Sequence, residues 1–124
     1  MGWKFQSNSP VYLQIASTIR ADILSGKYAA EEQIPPVRQL AYIAAVNPNT
    51  MQRALSQLEL DGLLYSKGTA GRFVTGDTAV LEKARHNAVN ELLETFLQGC
   101  KQLGVTKDEV IQLLNKKEEM ECQF

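Results

Sequence analysis

The stretch Val46-Asn47-Pro48-Asn49-Thr50-Met51-Gln52-Arg53-Ala54-Leu55-Ser56-Gln57-Leu58 decides how this chain is read. Asn47 is a residue type that caps helices, and Pro48 suits the first helical position, where its missing N–H costs nothing. Met51, Ala54, Leu55 and Leu58 recur at i, i+3, i+4 and i+7, the spacing of one buried helical stripe. The opposite face carries Asn49, Thr50, Gln52, Arg53, Ser56 and Gln57, with no acid before Glu59. A merely solvated helix more often mixes Glu with Lys. A face of Asn, Thr, Gln and Arg suits the base edges and phosphates of a major groove.

The flanking segments supply a frame for that helix. Ser9-Pro10 reads as a helix start, a hydroxyl cap followed by proline. Tyr12, Ile15, Ala16, Ile19 and Ile23 then form a helical stripe, and Gly26 suits a left-handed stop. Residues 27–34 read as an irregular turn. Pro35-Pro36 opens a short second helix with Val37, Leu40, Ala41 and Ala44 on one face. A short connection near Ala45–Asn47 leads into the third helix, which Asp61-Gly62 ends. Leu63–Ser66 and Arg72–Thr75 are strand-like and are joined by Lys67-Gly68-Thr69-Ala70-Gly71. Helix, helix, helix, hairpin is the order of a winged helix-turn-helix, in which the third helix enters the major groove.

Charge agrees with a local rather than a global nucleic-acid surface. The 124 residues hold 13 basic and 14 acidic side chains, net −1. Residues 1–76 carry seven basic and five acidic side chains, and residues 77–124 carry six and nine. The sequence changes character at the same point, so two regions are expected, 1–76 and 77–124. Histidine occurs once, as His86 among Lys83, Arg85 and Asn87, which reads as solvated. No Gly-rich phosphate loop occurs, and no carboxylate clusters with a cysteine or histidine. No catalytic residue, metal ligand or cofactor is therefore assigned, and the chain is expected not to be an enzyme. No run approaches the roughly 18 apolar residues of a membrane span. The first ten residues have one lysine and no apolar core, so no signal peptide is expected and the expected location is cytoplasmic. Cys100 reads as a packed thiol and Cys122 as a solvated one.

The C-terminal region is helical in pattern. Leu81, Ala84, Ala88, Leu92 and Phe96 form one stripe, with Val89, Leu93, Leu97 and Cys100 beside it. Gly104 ends this helix, and Thr106 with Glu109 forms a capping box for another, Val105 and Val110 standing at staple positions. Two helices cannot bury so wide an apolar arc against each other. The expected solution is a two-fold dimer with Leu81, Ala88, Leu92 and Phe96 at the interface. The alternative is packing onto the winged helix within one chain.

Several ordered blocks carry a family resemblance: Pro10-Val11-Tyr12-Leu13-Gln14-Ile15, Ile23-Leu24-Ser25-Gly26, Pro35-Pro36-Val37-Arg38-Gln39-Leu40-Ala41, Val46-Asn47-Pro48-Asn49-Thr50, Arg53-Ala54, Leu58-Glu59, Gly62-Leu63 and Gly71-Arg72-Phe73-Val74. Together they resemble the GntR-type DNA-binding domain over about residues 9–75. The remainder resembles the short two-helix C-terminal region of the YtrA-like subfamily. The resemblance implies a mostly α fold with a small β-hairpin wing, followed by a two-helix dimerisation region. It implies a dimeric transcriptional regulator, most often a repressor, whose partner is a palindromic operator in double-stranded DNA. Arg38 matches the arginine that grips phosphate or a base edge. Asn47, Pro48, Asn49 and Thr50 match the tip of the recognition helix, and Gln52 and Arg53 continue its exposed side. Gly71 matches the wing-tip glycine that lets backbone approach the minor groove, although Gly68 and Gly71 could serve only the turn. Arg72 stands where the family often has a smaller or neutral residue, and reads as a DNA contact or as solvated. Ala45 replaces a glycine common before the recognition helix, and Ala29-Ala30-Glu31-Glu32-Gln33 replaces the usual turn before the second helix. A winged-helix interaction module that has lost DNA binding is the competing class. No effector is legible.

Overall fold

The structure, a computed structural model, describes residues 2–120, with side chains through residue 117. Cys122 lies outside the described residues, as does the end of the charged tail.

Helix α1 spans Val11–Leu24 and buries Ile15, Ala16, Ile19, Ile23 and Leu24. Its start differs from the expected serine cap. Pro10 occupies the cap position, with no side-chain cap hydrogen bond. Ser9 then stands one residue too far upstream for its hydroxyl to reach the first helical N–H groups. The Gln14 amide closes this entrance instead. Its Nε2 donates to the carbonyls of Gln6 at 2.7 Å and Ser9 at 2.9 Å, and its Oε1 accepts from the Gln6 N–H at 2.8 Å.

Helix α2 spans Val37–Ala44 and buries Leu40, Ala41 and Ala44. It stops at Ala45, whose φ of 58° and ψ of 49° are left-handed. The conformation that a glycine adopts freely is here imposed on a residue with a Cβ. Helix α3, Pro48–Leu60, follows directly and turns Met51, Ala54, Leu55 and Leu58 inward, as their spacing predicts. These side chains meet Ile15 and Ile19 of α1 and Leu40 of α2 in one core. Burying each of the larger ones is worth about 1.5–3 kcal/mol. That shared core is what holds α3 in place with its polar face outward.

Strands β1, Leu64–Ser66, and β2, Arg72–Val74, pair antiparallel with Leu64 opposite Val74 and Ser66 opposite Arg72. A short 3₁₀ turn over Gly68–Ala70 joins them. The segment read as an irregular turn is more ordered than its sequence indicates. The Glu31 N–H donates to the Val74 carbonyl at 2.9 Å, the Val74 N–H to Glu32 at 2.9 Å, and the Ile34 N–H to Arg72 at 3.0 Å. Residues 31–34 therefore line the free edge of β2, leaving fewer unpaired backbone groups there.

Helix α4 spans Thr78–Gln102. Asp77 caps it, its Oδ1 accepting from the N–H groups of Ala79 at 3.0 Å and Val80 at 3.4 Å. The compact units of the chain divide between Arg85 and His86, not at the expected boundary after residue 76. The reason is packing. Val80, Leu81 and Ala84 rest on the winged-helix core, and Arg85 Nη2 donates to the Leu24 carbonyl at 2.7 Å. Leu81, read from the sequence as a dimer-interface residue, thus belongs with the first unit.

The second unit contains the rest of α4, a reversal at Gly104 with φ 76°, and helix α5, Lys107–Met120. The capping box forms as its sequence predicts. The Glu109 N–H donates to Thr106 Oγ1 at 3.2 Å, and the Thr106 N–H donates to Glu109 Oε1 at 3.3 Å. Val110 is buried.

Candidate nucleic-acid interface

Asn47 sets the geometry of the α3 tip. Its backbone is extended, and its Oδ1 accepts from the Asn49 N–H at 2.7 Å, with Pro48 at the first helical position. The chain thereby enters the helix with Asn49 and Thr50 on its first turn. Asn49 is exposed and Thr50 half-buried, and neither side chain has a hydrogen-bond partner among the described residues. Arg38, on the first turn of α2, is exposed and likewise makes no ion pair or hydrogen bond among the described residues. Neither α2 nor α3 carries an acid in its first turn. Their helix N-termini, each a partial positive charge, are therefore not neutralised from within.

The other candidate residues are already engaged. The Arg53 guanidinium carbon lies 3.9 Å from the centroid of the Tyr12 ring, a cation–π stack across α1 and α3. Pro10, Val11 and Tyr12 of the α1 entrance line one open cleft with Asn49, Thr50 and Arg53 of α3. Sequence periodicity assigns Tyr12 to the core stripe; it is half-buried and doubles as the platform for Arg53. The stacked guanidinium keeps its edge donors free.

The wing is braced from both sides. Gly71 has φ 110°, and a Cβ there would lie 2.9 Å from Gln33 Nε2. Gln33 Nε2 donates to the Ala70 carbonyl, so the missing side chain at Gly71 admits Gln33 beneath the wing tip. On the other side Arg72 Nε donates to Glu59 Oε1, which also accepts from Ser66 Oγ at 3.1 Å. Arg72 Nη1 approaches Gln52 Oε1 at a long 3.5 Å. With its side chain only 14% exposed and held on Glu59, Arg72 is not the solvated side chain that was one of the two readings of its sequence position. It ties the wing to α3. Tyr65 stacks on Phe73 and donates to Glu31 Oε1 at 2.6 Å, and this hydrogen bond is the main cause holding its phenol above the usual value of 10.0. Lys67 Nζ lies over the Phe73 ring, 5.6 Å from its centroid, leaving a cation on the wing surface. Gln33, Glu59 and Tyr12 are the site residues that the sequence did not single out for these roles. Each acts across a long sequence gap that periodicity does not register.

No helix among the described residues is long and apolar enough to cross a membrane. No group of three or more His, Cys, Asp or Glu among them is placed to hold a metal ion.

Ala88, Leu92 and Phe96, the remaining predicted interface residues, lie on α4. Ala88 is half-buried, while Leu92 and Phe96 are 73% and 50% exposed. Val89, Leu93, Ile111, Leu113 and Leu114 are also exposed, so an apolar arc on the two C-terminal helices stays open to solvent in the single chain.

Comparison with known proteins agrees with this geometry. The family model described as bacterial regulatory proteins, gntR family, matches residues 11–74. The chain is 33% identical over 109 residues to the uncharacterized HTH-type transcriptional regulator YhcF of Bacillus subtilis, covering 88% of this chain and 90% of that one. It is 27% identical over 101 residues to the HTH-type transcriptional repressor YtrA of Bacillus subtilis, covering 81% and 78%. Among solved structures, a GntR family transcriptional regulator from Listeria monocytogenes superposes with a TM-score of 0.84 at 32% identity, covering 90% of this chain and 98% of that one. The DNA-binding domain of AraR, solved in complex with operator ORX1, matches with a TM-score of 0.55 at 31% identity, over 58% and 93%. With its winged helix-turn-helix and its YtrA-like relatives, this chain belongs to the GntR family of bacterial transcriptional regulators.

Proposed function

We propose that this chain is a dimeric, sequence-specific repressor that binds a palindromic operator. The observation that carries the reading is the contrast within the polar surface. Arg38, Asn49 and Thr50 stand exposed or half-exposed at two acid-free helix starts with no intramolecular partner among the described residues. Nearby, Asn47, Gln52, Arg53 and Arg72 each have a partner within the chain. Unspent donors and acceptors at a helix tip suit base edges and phosphates. Asn49 and Thr50 read bases in the major groove, Arg53 follows on the same side, and Arg38 holds a phosphate. Lys67 brings a cation to the backbone from the wing.

The YtrA relative is a transcriptional repressor, and the AraR domain is solved in complex with an operator. The open apolar arc on α4 and α5 supports a second copy as its cover. Two recognition helices related by a two-fold axis would read half-sites about one helical turn apart. The test is a gel shift of the purified chain with fragments of its own genome at stated salt. Retention of a small set of fragments that contain an inverted repeat supports the reading. Binding of none, with the chain folded, leaves the interaction module as the better account.

A further inference from the structure

Arg72 is the least expected member of the interface, and its partners suggest what it does. Its Nε is committed to Glu59, whose carboxylate also takes the Ser66 hydroxyl. A guanidinium is a rigid planar fork, so fixing one edge fixes where the others point. The adjacent Nη1 faces Gln52 Oε1. A guanidinium has donors only, so Gln52 must turn its carbonyl toward Arg72 and carry its NH₂ away. Gln52 is exposed on the polar face of α3, one turn beyond Asn49.

We propose that Arg72 is a positioning residue that orients the Gln52 amide, so that α3 offers DNA a hydrogen-bond donor at this position. The proposal rests on the DNA-binding reading above. An unrestrained glutamine reads adenine with both amide ends, accepting from N6 and donating to N7. A glutamine whose carbonyl is engaged from the wing offers its N–H groups first. It selects an edge rich in acceptors, such as O6 and N7 of guanine or O4 of thymine. The charge of Arg72 is matched by Glu59 and is not a phosphate contact.

The test uses the whole chain and a panel of its operator with every base pair substituted singly. Wild type, Gln52→Ala, Arg72→Met and the double variant are titrated on the panel, and each is repeated across salt. At the position where Gln52→Ala abolishes discrimination, wild type is expected to prefer an acceptor-rich base by about tenfold. Arg72→Met should lose most of that preference at the same position, with adenine gaining, and the double variant should match Gln52→Ala. The slope of log K against log salt should not change. If Arg72→Met fails to fold, Arg72→Lys, which keeps a cation for Glu59 without the fork, carries the same expectation. A slope lowered by about one unit with uniform weakening would make Arg72 a phosphate contact and overturn the proposal. So would a changed preference at a different base pair, or a Gln52→Ala variant that alters none. Those outcomes leave the DNA-binding reading standing, whereas a wild-type chain that binds no DNA overturns both.

Discussion

Charging the open arc of α4 tests the dimer directly. The perturbation is Leu92→Glu with Phe96→Glu, one turn apart on the same stripe. Leu92 is 73% exposed and Phe96 50% exposed in the single chain, so most of the surface of one and half of the other remains to be covered. Complete burial of such a side chain is worth about 1.5–3 kcal/mol. Scaling by the exposed fractions and counting both copies gives roughly 4–7 kcal/mol, or on the order of a thousandfold or more in the dimer Kd. Four carboxylates brought together would add repulsion. Neither residue belongs to the core around Met51 and Leu55, so the winged helix should keep its thermal transition. Sedimentation velocity at micromolar concentration reads the outcome. The double variant is expected to sediment as a monomer. Operator affinity should fall steeply, because the second half-site no longer binds intramolecularly. A double variant that sediments as a dimer refutes the argument, and places any self-association elsewhere.

Ala45→Gly relieves the left-handed strain at the turn before α3, partly offset by the greater freedom of glycine in the unfolded chain. A net gain of about 0.5 kcal/mol is expected in urea unfolding, and a loss would contradict the strain argument. Arg38→Ala should weaken binding to all sequences alike and flatten the log K against log salt slope by about one unit. An unchanged slope with altered base preference would make Arg38 a base reader. The Tyr65–Glu31 hydrogen bond holds the phenol above its usual value of 10.0, so its contribution is complete below that value and disappears as pH rises through the folded one. The stability difference between wild type and Tyr65→Phe should therefore be constant up to pH ~9 and shrink above it. A difference that grows with pH would reverse the sign of the argument.

Local signals were legible where cause and effect lie within one turn. The Asn47 cap, the Pro48 start, the Met51–Leu58 stripe and the Thr106–Glu109 box all act over three or four residues, and all form. The entrance to α1 departs from expectation because Gln14 reaches back eight residues to Gln6, a reach that cap preferences do not encode. Pairing of residues 31–34 with β2 is backbone to backbone and leaves no side-chain pattern. Periodicity marked Leu81 as apolar-facing, but not whether core or partner would cover it. Arg72 is the clearest case. Its type allowed a DNA contact, and only the fold brings Glu59 and Gln52 beside it. Of the candidate site, the α3 tip was therefore readable from composition and spacing, and the bracing of the wing was not.

In the proposed function, specific binding turns on the α3 tip reading bases. Fluorescence anisotropy of Asn49→Ala and Thr50→Ala, on an operator fragment and on a scrambled duplex at the same salt, tests this most directly. Both side chains point away from the buried stripe and have no partner among the described residues, so neither truncation should move the thermal transition. Each variant is expected to lose about 1–3 kcal/mol of operator binding while its affinity for the scrambled duplex stays unchanged. Two folded variants that bind the operator as tightly as wild type would contradict the assignment of α3 to the major groove.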